Sequence, residues 1–427
     1  MRRLTIVILF QLGGFAAQAF AAVPTVDLEQ SFRAALARSE LVASQKELLV
    51  QQEEIYSQAR GGLLPSISAY GSYLIQETPT NAVGSTISPS TQPHARITAT
   101  QPLFRGFREF AGLRQARDLI EAQESAWRAA ATSLYVDVAT SFYSLIALEK
   151  SAANTREEME LHALRLRDLQ ARVKIGRSRL SEVLTVQATR ASLGASLAAI
   201  EGQIQAQRAL FAFLTGFEPG VIVRDAEEIP KGPLTLEAYL ARIPERPDVR
   251  AEEKRLESAG EAVSIASGAH WPSLDLNGNY YLHRVGSLRD VNWDVQLVLQ
   301  VPLFQGGIIS SQVRQSESRR TQAELNVSRV RRTAEQEIRS AFDVFQSDLK
   351  QLEAVTEAND LARRNYAEQT KEYRLGLVTN LDVLSALAAS EQTRRTLDRT
   401  RASVKLNFAR LEAAGARRPG NLQKIED

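Results

Sequence analysis

Cysteine is missing altogether from the 427 residues, so the chain has no disulfide, no thiolate nucleophile and no lipobox cysteine for N-terminal lipid attachment. Histidine is scarce, and the four present (His94, His162, His270, His283) are scattered without an H-x-x-x-H spacing. There is no G-x-S-x-G elbow, phosphate-binding loop or dinucleotide fingerprint. With no polar constellation to act on a substrate, the expectation is a protein that is not an enzyme and uses no cofactor and no metal. An excess of one charge is lacking too: 52 basic residues face 50 acidic ones, which excludes the broad basic surface of a nucleic-acid binder. After the first residues no stretch reads as the roughly 20 apolar residues of a spanning helix. The mature chain is therefore expected to be periplasmic or to enter a membrane as strands.

What is present begins with an export signal. Arg2 and Arg3 precede the apolar runs Leu4 to Phe10 and Leu12 to Phe20, which close on Ala19-Phe20-Ala21. That is an A-x-A site, cut before Ala22, so residues 1–21 are read as a signal peptide. A retained membrane anchor fits poorly, because Pro24, Asp27 and Glu29 follow at once.

The remainder is one unit written twice. Pro102-Leu103-Phe104-x-Gly106 recurs as Pro302-Leu303-Phe304-x-Gly306, and Phe142, Gly176 and Glu182-Val183-Leu184 answer Phe342, Gly376 and Asp382-Val383-Leu384. Upstream, Pro65-Ser66, Gly71 and Tyr73 match Pro272-Ser273, Gly278 and Tyr280 at an offset about seven residues larger. The first copy must therefore hold extra residues in one loop, about 77–96. Each copy reads as a helix, two strands, a very long helix, a tip and a returning helix. The first copy covers 22–216, with strands about 66–76 and 97–104, and the second covers 246–416, with strands about 273–284 and 291–303. An irregular connection, 217–245, joins them, and 417–427 form a short charged tail.

Neither Gly nor Pro interrupts Leu113 to Ile175 or Ile308 to Leu375, so nothing forces a break in helices that would span roughly 100 Å at 1.5 Å per residue. Apolar residues at spacings of three and four (Val327, Val330, Ala334, Ile338, Phe342, Phe345, Leu349) make a coiled-coil-like seam. A single helix from about Leu28 to Arg60, stacked end to end with a returning helix from about Ser178 to Leu214, would roughly match one long helix. At the tips Gly176 and Gly376 end helices, Ser178 and Thr379 are able to cap the next, and Thr379-x-x-Asp382 has the spacing of a capping box.

The strands alternate. Leu274, Leu276, Gly278, Tyr280 and Leu282 share one face, with Asp275, Asn277, Asn279, Tyr281 and His283 on the other; Val295, Leu297 and Leu299 alternate with Asp294, Gln296 and Gln300. Strands of about 10 residues with one apolar and one polar side suit a membrane barrel, and aromatics near strand ends (Trp271, Trp293, Phe104, Phe304) would form its girdle. A half-buried soluble sheet gives the same alternation. In a barrel, Leu274, Leu276, Leu282, Val295, Leu297 and Leu299 would meet lipid, and Asp275, Asn277, Asp294 and Gln296 would line the lumen. Four strands cannot close, and an open edge in lipid leaves unpaired amides costing several kcal/mol each. Three copies would supply twelve.

These stretches, with Arg246-Pro247-Asp248-Val249 and the tip from Tyr373 to Leu384, resemble the TolC-like outer-membrane factors, the outer membrane efflux proteins, over nearly the whole mature chain. The resemblance implies an α+β membrane protein: a homotrimer with a twelve-stranded transmembrane barrel in outer-membrane lipid, continuous with an α-helical periplasmic tunnel. It implies an exit duct that a periplasmic adaptor docks onto an inner-membrane transporter of RND, ABC or MFS type, carrying drugs, metals or secreted proteins. It further implies that Gly176, Arg177, Ser178, Leu180, Gly376, Leu377, Val378 and Thr379 dock the adaptor, and that a periplasmic gate is held by Tyr373 bonded to Glu182, with Ser181 where the family can have Thr. The sequence departs at Val378, which stands for an arginine, and at Ser385, which stands for a second gate aspartate beside Asp382. Asp382 can be a gate carboxylate, a helix-terminal acid, or both. The rival from another class is a soluble periplasmic coiled-coil adaptor or scaffold.

Overall fold

The computed structural model describes residues 25–77, 89–229 and 235–416. The signal peptide, most of the long first-hairpin loop and the charged tail lie outside the described residues.

The chain opens with a two-residue strand, β1 (Thr25–Val26), then α1 (Leu28–Arg38) and α2 (Glu40–Gly61). The single helix expected here is broken because Ser39 leaves helical geometry (ψ 110°) and its Oγ accepts from the Val42 amide, capping α2; a serine hydroxyl competes with the helix ladder and favours a new start. The hairpin β2 (Ser66–Ile75) and β3 (Thr91–Arg105) leads into α3 (Arg108–Lys174), and α4 (Leu180–Thr215) returns. After β4 (Ile222–Val223), α5 (Leu236–Leu240) and a 3-10 turn, the pattern repeats as α6 (Pro247–Gly268), β5 (Ser273–His283), β6 (Trp293–Gln300), α7 (Ile308–Leu375) and α8 (Asn380–Ala414).

Three boundaries differ from the sequence reading for identifiable reasons. Helix α3 starts five residues earlier than Leu113 because Gly112 is absorbed into it, at a cost of about 1 kcal/mol that packing outweighs. Strand β3 starts at Thr91 rather than about 97. Pro93 argues against a strand interior, but it pairs only with Tyr73 of β2, because β3 pairs with β5 no further than Ala95, so on that side the proline stands on an open strand edge. Strand β6 ends at Gln300, short of Pro302. The expectation that no later helix has spanning hydropathy also needs correction: α3 and α4 each contain an apolar window long enough by composition. In α3 half of that window is buried in helix packing, where Leu134, Val138, Ala139, Phe142 and Leu145 form the main core with Phe32 and Phe211.

The long helices organise the rest. α2 and α4 pack along α3, α6 and α8 pack along α7, and α3 also contacts α6 and α8, joining the copies. Strands β1 and β4 pair in parallel and tie the start of the chain to the connection. Arg246, at the start of α6, is buried and donates to Asp248, Glu337 and the carbonyl of Ala414. The sheet order is β2-β3-β5-β6, all antiparallel, so the two hairpins meet at β3 and β5. Among the described residues, the outer edges of β2 and β6 have no partner strand.

Candidate functional site

Two regions concentrate the chemistry: one face of the sheet and the two helical tips. In the sheet the register places Asn277 opposite Gln296, Asn279 opposite Asp294, Thr98 opposite Asn279 and Ser68 opposite Thr98. Side chains run as a ladder across this face. Thr98 Oγ1 donates to Asn279 Oδ1 (2.8 Å), Asn279 Nδ2 to Asp294 Oδ1 (2.8 Å) and Tyr281 Oη to Asp294 Oδ2 (2.7 Å). Nearer the helices, Arg105 donates through Nη2 and Nε to Asp275 (2.8 and 3.0 Å). All four polar residues named from sequence, Asp275, Asn277, Asp294 and Gln296, therefore share one face.

The opposite face is apolar and bare. Leu274 faces Leu299, Leu276 faces Leu297, Gly278 faces Val295 and Tyr280 faces Trp293, and Val295, Leu297 and Leu299 are each at least 60% exposed. A water-soluble sheet packs its leucines inward and solvates its amides; here the amides bond to one another while Leu297 and Leu299 lie exposed.

At the far end the two tips are built alike. Helix α3 stops at Gly176 (φ 70°), where Arg177 N–H reaches the Arg172 carbonyl (2.8 Å). Helix α7 stops at Gly376 (φ 80°), where Leu377 N–H reaches the Glu372 carbonyl (3.0 Å). Both are left-handed glycine stops that satisfy the last carbonyls. The restarts differ. Thr379 and Asp382 form the expected capping box: the Thr379 amide and Oγ1 donate to Asp382 Oδ2 (2.8 and 2.6 Å), and these bonds hold the exposed Asp382 carboxyl below its ordinary range. Ser178 does not cap α4; the cap position is Arg179, and Ser178 Oγ donates instead to Glu182 Oε2 at 2.5 Å. Beneath the tips Leu169, Val183 and Val186 are packed with Leu384, while Ile175, Leu180, Leu375, Leu377 and Leu381 are exposed. Arg177 and Ser181 are exposed as well, and Val378 is half-buried.

Within one protomer Tyr373 and Glu182 are not joined. Glu182 is engaged by Ser178, and the Tyr373 ring lies under two guanidiniums, with Arg165 Cζ 3.9 Å and Arg172 Cζ 4.8 Å from its centroid. Arg165 Nε also donates to Asn380 Oδ1 at 2.7 Å, with Asn380 buried at the start of α8. Arg165 thus links α3 to the end of α7 and the start of α8. Burial lowers its pKa, offset in part by Asp168, yet a guanidinium remains charged at any ordinary pH. Sequence reading passed over Arg165 and Arg172 because both lie inside a long helix whose charged positions look uniformly solvated; only their spacing of seven, two turns on one face, hints at a shared partner.

Comparison with known proteins agrees with this architecture. The family model for the outer membrane efflux protein matches residues 32–216 and 241–416. The outer membrane efflux protein BepC of Brucella suis is 24% identical over 341 residues, covering 78% of this chain and 73% of that one. The outer membrane protein TolC of Escherichia coli is 21% identical over 380 residues, covering 84% and 76%. Among solved structures, the outer-membrane channel OprN superposes with a TM-score of 0.78 at 18% identity, covering 91% of this chain and 89% of that one. The outer membrane protein VceC of Vibrio cholerae superposes at 0.77 and 21% identity, covering 91% and 95%. With its duplicated helix and strand pattern matched across both copies, the chain belongs to the outer membrane efflux protein family and is a TolC-like channel protein of the outer membrane.

Proposed function

We propose that three copies of this chain close their sheets into a twelve-stranded transmembrane β-barrel, continuous with a helical tunnel in the periplasm. The assembly is the passive exit duct of a tripartite export system. A periplasmic adaptor engages the exposed apolar tips around Leu180 and Leu377, and an inner-membrane transporter of RND, ABC or MFS type supplies the cargo, drugs or secreted proteins. One observation carries this: a sheet whose polar face is internally hydrogen-bonded, whose leucine face is bare, and whose two edges are open. Lipid is the solvent in which bare leucines are favourable and open edges are not.

Quasi-symmetry supports the closed ring. In the first copy the turn after β3 backs onto the end of α6: a Cβ on Gly106 would lie 2.2 Å from the Gly268 carbonyl oxygen and 2.9 Å from Trp271 Cβ. The matching turn of the second copy, at Gly306, meets nothing within 4 Å, and Leu303 and Phe304 beside it are 92% and 88% exposed. A neighbouring protomer's α2–β2 turn, the counterpart of Gly268 and Trp271, would complete it.

Cysteine labelling tests the duct. In cells, Asn277→Cys should react with a small water-soluble maleimide and Leu297→Cys should be shielded. Equal reactivity of both would favour a soluble periplasmic scaffold, and reversed reactivity would move the register by one residue.

A further inference from the structure

The polar face of the sheet carries more positive charge than it uses. Its charged side chains are Arg96, Arg105, Asp275 and Asp294, joined by Arg284 at the end of β5, whose Cζ lies 4.3 Å from the Tyr281 ring centroid. Arg105 is neutralised by Asp275. Asp294 has one oxygen on Asn279 and the other on Tyr281, both neutral donors. Among the described residues neither Arg96 nor Arg284 forms an ion pair, and the Nε of Arg96 is buried without a hydrogen-bond partner. Each guanidinium instead stacks on a tyrosine, Arg96 at 5.0 Å from the Tyr70 centroid. Residues 78–88, outside the described residues, include no Asp or Glu. Glu77 stands beyond the end of β2, and Arg289 is paired with Asp290 in the β5–β6 turn.

We infer that Arg96 and Arg284, repeated by three protomers, form an anion-binding ring inside the barrel near its loop end, taking aromatic or amphipathic cargo that bears carboxylate, sulfonate or phosphate groups. This rests on the closed-barrel reading and adds a substrate class to it. Six guanidiniums facing one aqueous lumen lie in a cavity with low-dielectric walls, which focuses their field. A guanidinium that forms no ion pair keeps its two terminal nitrogens available for a bidentate oxyanion. The tyrosines hold the two forks in place through cation–π contact and present aromatic surface beside them. The single aspartate at this level, Asp294, leaves a surplus of one positive charge per protomer there, while the Arg105–Asp275 level is balanced.

The probe is pyrene-1,3,6,8-tetrasulfonate, an aromatic polyanion, added to the detergent-solubilised trimer and followed by fluorescence anisotropy, with the cationic dye ethidium as comparison. The tetrasulfonate should bind, weaken steeply between 50 and 300 mM salt, and lose at least about tenfold in affinity in Arg96→Gln with Arg284→Gln; ethidium should not show this pattern. Arg284→Gln alone, outside the strand pairing, should lose about threefold and keeps the test open if the double variant assembles poorly. Arg105→Gln, whose guanidinium is already occupied, should bind as the parent does. A trimer that forms ion-conducting pores yet binds the tetrasulfonate no better than ethidium, or binds it equally in all variants, overturns the anion ring and leaves the duct standing. A protein that neither trimerises nor conducts overturns the duct itself.

Discussion

At the scale of the residue, the contact that Tyr373 makes within the protomer is through the face of its ring. A phenol bonded to a carboxylate would need the Tyr373 hydroxyl; a ring beneath Arg165 and Arg172 needs only its π-face. A half-buried cation–π contact contributes about 0.5 to 2 kcal/mol, and in the proposed trimer threefold repetition would multiply any bias it has on a two-state closure. In planar bilayers Tyr373→Phe and Glu182→Ala should therefore conduct as the parent does, whereas Tyr373→Leu and Arg165→Ala should conduct severalfold more with the trimer intact on gels. A large rise in Tyr373→Phe would restore the phenol–carboxylate tie across protomers. A second residue-scale consequence concerns Glu391, which is buried between α8 and α3 with Oε2 lacking a hydrogen-bond partner and Arg394 4.0 Å away. Burial raises its pKa, with Glu158 and Glu157 adding to the shift and Arg394 and Arg395 opposing it. A carboxyl raised on folding adds stability that is present below its unfolded value near 4.5 and is lost as pH climbs through the folded value. Glu391→Gln should unfold at a higher temperature than the parent at pH 7.5, with the gap closing toward pH 4.5. An unchanged gap across that range would mean that the carboxyl does not titrate differently in the folded state.

At the scale of the element, the junction between strand and helix is where the copies use one geometry with different partners. Gly106 and Gly268 let two backbones touch inside the protomer. Their counterparts, Gly306 and Gly61, touch nothing within it. Gly61 ends α2 without a positive φ, so alanine there would ordinarily favour the helix by up to about 1 kcal/mol. If a neighbour's Gly306 turn backs onto it, the same methyl collides with backbone. Gly61→Ala should therefore leave the helical circular dichroism of the protein unchanged while cutting the yield of trimer on native gels severalfold. A normal trimer yield would show that the two junctions are not equivalent in the ring.

At the scale of the whole molecule, the repeat specifies how the open edges should meet. Within the protomer Thr98 pairs with Asn279; moving each to its counterpart in the other copy sets Val298 of β6 against Ser72 of the next protomer's β2. Both sit on the polar face, since Val298 pairs with Asp275 and Ser72 with His94. The chain has no native thiol to interfere. Val298→Cys with Ser72→Cys, under a mild oxidant, should give covalent dimers and trimers on denaturing gels, and neither single variant should do so. Cross-linking of Val298→Cys with Tyr73→Cys instead would shift the edge register by one, and no cross-linking of either pair would remove edge-to-edge closure.

Local chemistry was enough to place much of this in the sequence. Uninterrupted runs without Gly or Pro demand long helices, alternation of Leu with Asn and Asp demands two-faced strands, and Gly376 with Thr379-x-x-Asp382 spells a stop and a restart; each follows from residues within a few positions of one another. The duplication also made the family resemblance legible. What stayed hidden depends on partners far apart in the chain. Ser39 breaking the first helix, Pro93 tolerated inside β3 because β5 ends beside it, and β1 pairing with β4 are set by neighbours that no local pattern names. Most of all, the family resemblance pointed Tyr373 at Glu182, whereas within the protomer the ring lies under Arg165 and Arg172 and the carboxylate accepts from Ser178. One residue type can satisfy several partners of similar strength, so composition and spacing determine which elements exist, while only the three-dimensional packing of α3 against the ends of α7 and α8 decides which side chains meet.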